Sequence, residues 1–102
     1  MKVKVLAIRL IHKDKPLKAF VDIEIFDGFV IRDFRVTKQD GQSLSVESPQ
    51  TSWVDRETKQ LKFKSILVIP SEERQSFEIA ILSAYQKKLE EENREQKQDP
   101  QR

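Results

Sequence analysis

Apolar and polar residues alternate most regularly between positions 17 and 36. Leu17, Ala19, Val21, Ile23 and Ile25 occupy every second position, with Lys18, Asp22 and Glu24 between them, which is the period of a half-buried strand. Asp27-Gly28 tolerates the positive φ of a type I′ turn, and residues 29–36 return as a second strand, so the segment predicts a tight antiparallel hairpin. A two-residue turn places Phe26 opposite Phe29, Ile25 opposite Val30, Val21 opposite Phe34 and Ala19 opposite Val36, all lining a core face. The same register puts Arg32 across from Ile23 on that apolar face and Asp22 across from Asp33 on the other. Opposed like charges destabilise a sheet. The pattern therefore asks for either a cation between the aspartates, such as Arg35 or Lys18, or a bulge that shifts the register.

The remaining elements follow from the same reading. Residues 3–11 are dense in Val, Ile and Leu and interrupted only by Lys4 and Arg9, predicting a first, largely buried strand. The polar stretch ending in Pro16 turns the chain, and after the turn chemistry of residues 37–42 a short fourth strand is expected over 43–46. Residues 48–60 carry the least pattern and predict a long loop holding Trp53. That side chain either folds back as a lid on the core or serves base stacking or protein docking. Residues 61–69 predict a fifth strand, with Lys62 and Lys64 alternating against Leu61 and Phe63 before a continuous apolar run. Pro70-Ser71-Glu72-Glu73 starts a helix capped by Ser71, whose apolar stripe is Phe77, Ala80, Ile81, Ala84, Tyr85 and Leu89, widened by Ile79 and Leu82. The predicted fold is α+β: an antiparallel meander of about five strands packed with one C-terminal helix. Residues 1–90 form one domain, and 91–102 are a charged, frayed or disordered tail dispensable for folding.

Composition narrows the function. A chain of 102 residues with 37% hydrophobic side chains supports one modest core, and the absence of cysteine excludes disulfides and thiolate metal sites. No stretch approaches the roughly 18 apolar residues of a membrane span and no signal-type leader is visible, so a soluble, cytoplasmic protein without a membrane partner is expected. Net charge is only +2, but residues 1–38 hold nine Lys or Arg against five acids while residues 71–102 hold six against eight. This asymmetry suits either an anionic partner on one face or simple solubility. One histidine and two glycines leave no metal cluster, no phosphate-cradling loop and no nucleophile motif. The pair Asp22 and Asp33 lies on a sheet surface with nothing to mark a cleft. The expectation is a protein that is not an enzyme, with no cofactor and no small-molecule substrate.

The order of elements, the segment Phe29-Val30-Ile31-Arg32-Asp33-Phe34-Arg35-Val36 after a hairpin turn, the later Ser48-Pro49, and the helix around Ala80-Ile81-Leu82-Ser83-Ala84-Tyr85 resemble the stage V sporulation protein G (SpoVG, septation protein) family of bacteria. The resemblance covers roughly residues 1–90, and Phe29, Val30, Asp33, Arg35, Val36, Ser48, Pro49, Arg74 and Tyr85 match its pattern. It implies a small α+β protein, dimeric through its sheet, that binds DNA and RNA and regulates gene expression, septation and sporulation. This chain departs from the pattern where Gln50-Thr51-Ser52 replaces Lys and Arg after the Ser-Pro motif. It departs again at Ser76, where a basic residue is usual, and at Val54-Asp55-Arg56-Glu57, which replaces an aspartate-glycine turn.

Two functional readings stand. In the first the chain binds nucleic acid non-catalytically through Arg56, Lys59, Lys62, Lys64 and Arg74, backed by Arg32 and Arg35, acting on phosphates. In the second it is a dimeric interaction module that docks a protein through a sheet edge or the Trp53 loop. Either way the apolar residues of 3–11 and 66–69 exceed what a monomer with one helix can cover, predicting a homodimer through the β-sheet.

Overall fold

The computed structural model describes residues 1–12 and 14–98. It contains β1 (Lys4–Leu10), β2 (Leu17–Ile25), β3 (Phe29–Thr37), β4 (Ser45–Glu47), β5 (Gln50–Val54), β6 (Leu61–Ser65) and α1 (Ser71–Gln98). The first four strands form one antiparallel sheet in sequence order, and β5 and β6 pair separately as a two-stranded ribbon. The architecture is α+β, as the pattern predicted, with six strands divided between two sheets.

The core lies between one face of the four-stranded sheet and α1. Ala19, Val21, Ile23, Phe34, Val36 and Val46 from the sheet are buried against Phe77, Ile81 and Tyr85, which recur at four-residue spacing on the helix. Phe34 and Phe77 stack with ring centroids 5.9 Å apart. Ile79, expected to widen the apolar stripe, is instead exposed. It lies two residues from both Phe77 and Ile81, hence on the far side of the helix. α1 follows β1 along its length: the Met1 ammonium lies 3.4 Å from Glu73, and His12 Nδ1 lies 3.6 Å from Glu92. Helical backbone thus continues through residues 91–98 of the segment expected as a tail, and residues 99–102 lie outside the described residues.

The hairpin register is as predicted in its middle, with Ala19 opposite Val36 and Val21 opposite Phe34, while at the open end an irregularity puts Leu17 opposite Thr37. Nearer the turn it shifts by one, so that Ile23 faces Ile31 and Ile25 faces Phe29 across a three-residue turn, Phe26-Asp27-Gly28, and Phe26, Phe29 and Val30, expected on the core face, are exposed. The shift is a bulge in which Arg32 and Asp33 together oppose Asp22, with Asp33 at φ 66°. The physical reason is the conflict visible in the unshifted register: a guanidinium opposite Ile23 would sit on the core face, whereas one extra residue brings Ile31 there and leaves Arg32 exposed.

The cation between the two aspartates is Arg9, not Arg35 or Lys18. Its Nη1 donates to Asp22 Oδ2 at 2.9 Å, and its Nη2 donates to Asp22 Oδ1 at 3.1 Å and Asp33 Oδ1 at 2.9 Å. The Asp33 amide also donates to Asp22 Oδ1 at 3.1 Å. These bonds, the Arg9 guanidinium foremost, hold the Asp22 carboxyl below its ordinary value. A depressed folded-state value contributes stability that is complete above the unfolded aspartate value near 3.9 and is lost as pH falls through the folded value. Arg9→Ala is therefore expected to cost about 1 kcal/mol at neutral pH, since the guanidinium is solvent-screened. Chemical denaturation should show that deficit shrinking as pH drops below about 4; a deficit independent of pH would contradict the account.

Other expectations need correction. β1 is an edge strand and is not largely buried: Val5, Ile8 and Leu10 are half-buried toward the helix, whereas Leu6 and Ala7, at an irregularity in the β1–β2 register, are exposed. The fourth strand lies two residues later than the predicted start, with only Val46 buried. The long loop over 48–60 contains β5, and the fifth strand predicted over 61–69 ends at Ser65. Beyond it, Leu67 and Ile69 pack on the core while Val68 is 83% exposed.

Candidate nucleic-acid interface

The β5–β6 ribbon is built by local chemistry at both ends. At its tip the Asp55 carboxylate accepts the Glu57 and Thr58 amides at 2.8 and 3.1 Å, and the Asp55 amide donates to the Gln60 carbonyl at 2.9 Å. The two amides that donate to it, Thr58 first, hold the Asp55 carboxyl below its ordinary value. Lys59 completes the turn at φ 62°, a conformation that favours glycine. Lys59→Gly is accordingly expected to stabilise the protein by about 0.5–1 kcal/mol in denaturant titration. Loss of stability would mean that the lysine side chain holds the tip.

At its root the ribbon is clipped to the body. The Ile66 amide donates to the Pro49 carbonyl at 2.9 Å, and Pro49 is buried. Ser65 Oγ donates to the Leu67 carbonyl at 2.9 Å, so its single proton is committed and Ser48 Oγ is the donor in the 2.9 Å contact between the two hydroxyls. Ser48 and Pro49 are thus joint residues. Beside this joint, Arg74 lines a cleft of about 210 Å³ with Phe34, Ser48, Ser65, Leu67 and Phe77.

Between tip and root the register sorts the side chains onto two faces. Gln50 pairs with Ser65, Ser52 with Phe63 and Val54 with Leu61, giving one face an exposed apolar cluster of Val54, Leu61 and Phe63. Thr51 pairs with Lys64 and Trp53 with Lys62, so the other face carries an aromatic ring between cations. Trp53 is 46% exposed, and the lid on the core is not formed.

The ribbon collects Lys62 and Lys64 on this face, Arg56 and Lys59 in its tip and Arg74 at its root, where the Arg74 Nε lies 3.6 Å from Glu78. The acids among ribbon residues are Asp55, whose Oδ2 lies 3.4 Å from Lys62 Nζ, and Glu57. Arg32 and Arg35 belong to the other sheet. Arg32 sits at the bulge, and the Arg35 guanidinium lies 5.7 Å from the Phe20 ring centroid on the face away from the helix. Sequence reasoning missed Thr51 as a neighbour of Lys64. It read residues 50–54 as loop because they show no burial period, and the turn after them has Lys59 in the left-handed position where a glycine would have marked it.

Among the described residues no group of His, Asp or Glu is arranged to hold a metal ion, and no polar or charged side chain is buried. No described helix is long and apolar enough to cross a membrane. Compared with known proteins, the chain matches the family model described as SpoVG over residues 1–87, a span that takes in the sheet, the ribbon and most of the helix. No curated protein and no solved structure matches it.

Proposed function

This chain belongs to the SpoVG family, and from that premise we propose that it is a cytoplasmic regulator that binds DNA or RNA through the Trp53 face of the β5–β6 ribbon. The family is one of regulators and not of enzymes. The proposed role is control of gene expression, including that of septation or sporulation. The observation that carries the binding site is the placement of Lys62, Lys64 and Trp53 on one face of an exposed ribbon, with Arg56 and Lys59 at its tip. Cations so placed meet backbone phosphates without reading base edges, giving affinity with little sequence preference.

The test is binding of the full chain to labelled single- and double-stranded oligonucleotides between about 50 and 200 mM salt. A linear fall of log K with log salt is expected. Absence of binding at low salt, or an affinity indifferent to salt, would overturn the reading in favour of the protein-docking module.

The opposite face of the ribbon supports a second element of the proposal. Val54, Leu61 and Phe63, with Ile66 and Val68 beyond the ribbon's end, are exposed apolar side chains that a second copy of the chain would cover, so the proposed homodimer forms through the ribbon sheet and residues 66–69 and not through residues 3–11. Light scattering should return twice the 12.0 kDa chain mass at micromolar concentration. A monomer throughout that range would remove this element and leave the phosphate-binding face untouched.

A further inference from the structure

Trp53 is out of place as a packing residue. The apolar side chains of the ribbon, Val54, Leu61 and Phe63, gather on one face, while Trp53 stands on the other among Thr51, Lys62 and Lys64. Among the described residues no ring stacks on the indole and no cation lies over it, because the Lys62 ammonium is drawn 3.4 Å from Asp55 toward the tip. The indole is thus a rigid aromatic plane, half exposed, on a two-stranded ribbon fixed at both ends by hydrogen bonds. Lys62 and Lys64 stand about 7 Å apart along their strand, to one side of it.

We propose that the nucleic acid taken by this face is single-stranded, with an unpaired base stacked on the Trp53 indole and neighbouring phosphates held by Lys62 and Lys64. This deepens the function proposed above and rests on it. An indole offers a flat surface to a base, and the face of a base is available only where it is not already stacked in a duplex. Among the paired strand residues this face has no Arg, Asn or Gln with which to read paired base edges in a groove; its polar members there are Thr51 and two point-charge lysines, with Asp55 beside Lys62 at the tip end and Arg56 in the turn beyond. Thr51, directly opposite Lys64, keeps the approach to the indole from the root side small and polar. A peptide partner would gain little here, since the apolar surface that a protein would cover lies on the other side of the ribbon.

Trp53 is the chain's only tryptophan, so its emission reports this site alone. The experiment titrates the full chain with an unlabelled oligothymidylate of about a dozen nucleotides and with a duplex of the same length. Tryptophan fluorescence is followed in the parent, and retention of labelled oligonucleotide is measured for the parent, Trp53→Phe and Trp53→Ala. The single strand should quench the parent's tryptophan and bind it more tightly than the duplex does. Trp53→Ala should weaken single-strand binding by about 5- to 100-fold, with the salt slope unchanged, and Trp53→Phe should recover most of the loss.

Salt-dependent binding with unchanged tryptophan emission, and an unaltered Trp53→Ala variant, would overturn the stacking assignment while leaving the phosphate-binding reading intact. Tighter binding of the duplex would overturn the single-strand assignment. No binding of either form at low salt would remove the underlying reading and this inference with it. The parent's quenching needs no substitution, so the outcome does not depend on whether a variant folds.

Discussion

Replacing Lys62 and Lys64 together with glutamine is expected to weaken nucleic-acid binding by about 10- to 100-fold near 0.1 M salt and to lower the slope of log K against log salt by about 1.5 to 2 units. Both lysines project from the same face of β6, and both side chains are exposed, so glutamine removes charge without opening a cavity. Lys62 also lies 3.4 Å from Asp55, but that carboxylate is already held by two backbone amides. The tip should keep its shape when the lysine is lost. The weakening should be nearly equal for unrelated sequences, because point charges on phosphates carry no base information. A double variant that binds like the parent while folded would move the interface off this ribbon.

The largest effect on stability is expected at Phe34. It is completely buried, stacks on Phe77 at 5.9 Å and lies beside the cleft at the ribbon's root. Truncation to alanine removes a contact that joins the sheet to the helix's second turn and leaves a void the strands cannot close, since Val21 opposite it is fixed by the β2–β3 ladder. The expected cost is about 3–5 kcal/mol, a large part of the total stability of a domain this size, measured by denaturant titration of the two proteins. Phe34→Leu, which keeps most of the volume, should lose much less. A cost near 1 kcal/mol for the alanine variant would mean that the helix is not anchored through this pair.

Where a strand has one buried face the sequence announced it, and of the two ribbon strands that have none only β6 showed an alternation. β2 alternates because Ala19, Val21 and Ile23 enter the core, and its neighbours were placed by counting from it. That count failed below Val21 at an irregularity it had itself exposed, Arg32 opposite Ile23. What it could not supply was the partner, since Arg9 reaches Asp22 and Asp33 from a strand whose own pairing depends on a second register. β5 was unreadable for a different reason. Neither face of the ribbon packs on the core, so residues 50–54 show no burial period, and the turn that follows uses Asp55 and a left-handed Lys59 where a glycine would have marked it. The run over 66–69 misled in the opposite sense: Leu67 and Ile69 are apolar because they pack under α1, not because they continue β6.

The candidate site was legible in kind and only partly in arrangement. Lys62, Lys64 and Trp53 were each visible as unusual, but their sharing of a face depends on the β5–β6 register, which pairs Trp53 with Lys62. The same register separates this face from the apolar one. A single ribbon therefore has room for a charged partner on one side and a second copy on the other.

The account is tested most directly by mapping backbone amide shifts as an oligothymidylate is added to the isotopically labelled protein. It predicts that the perturbed amides are those of residues 50–65 and of the helix start around Arg74. The face of the four-stranded sheet that carries Arg9, Phe20 and Arg35 should be left unchanged. Shifts centred on that sheet face, with the ribbon silent, would contradict it.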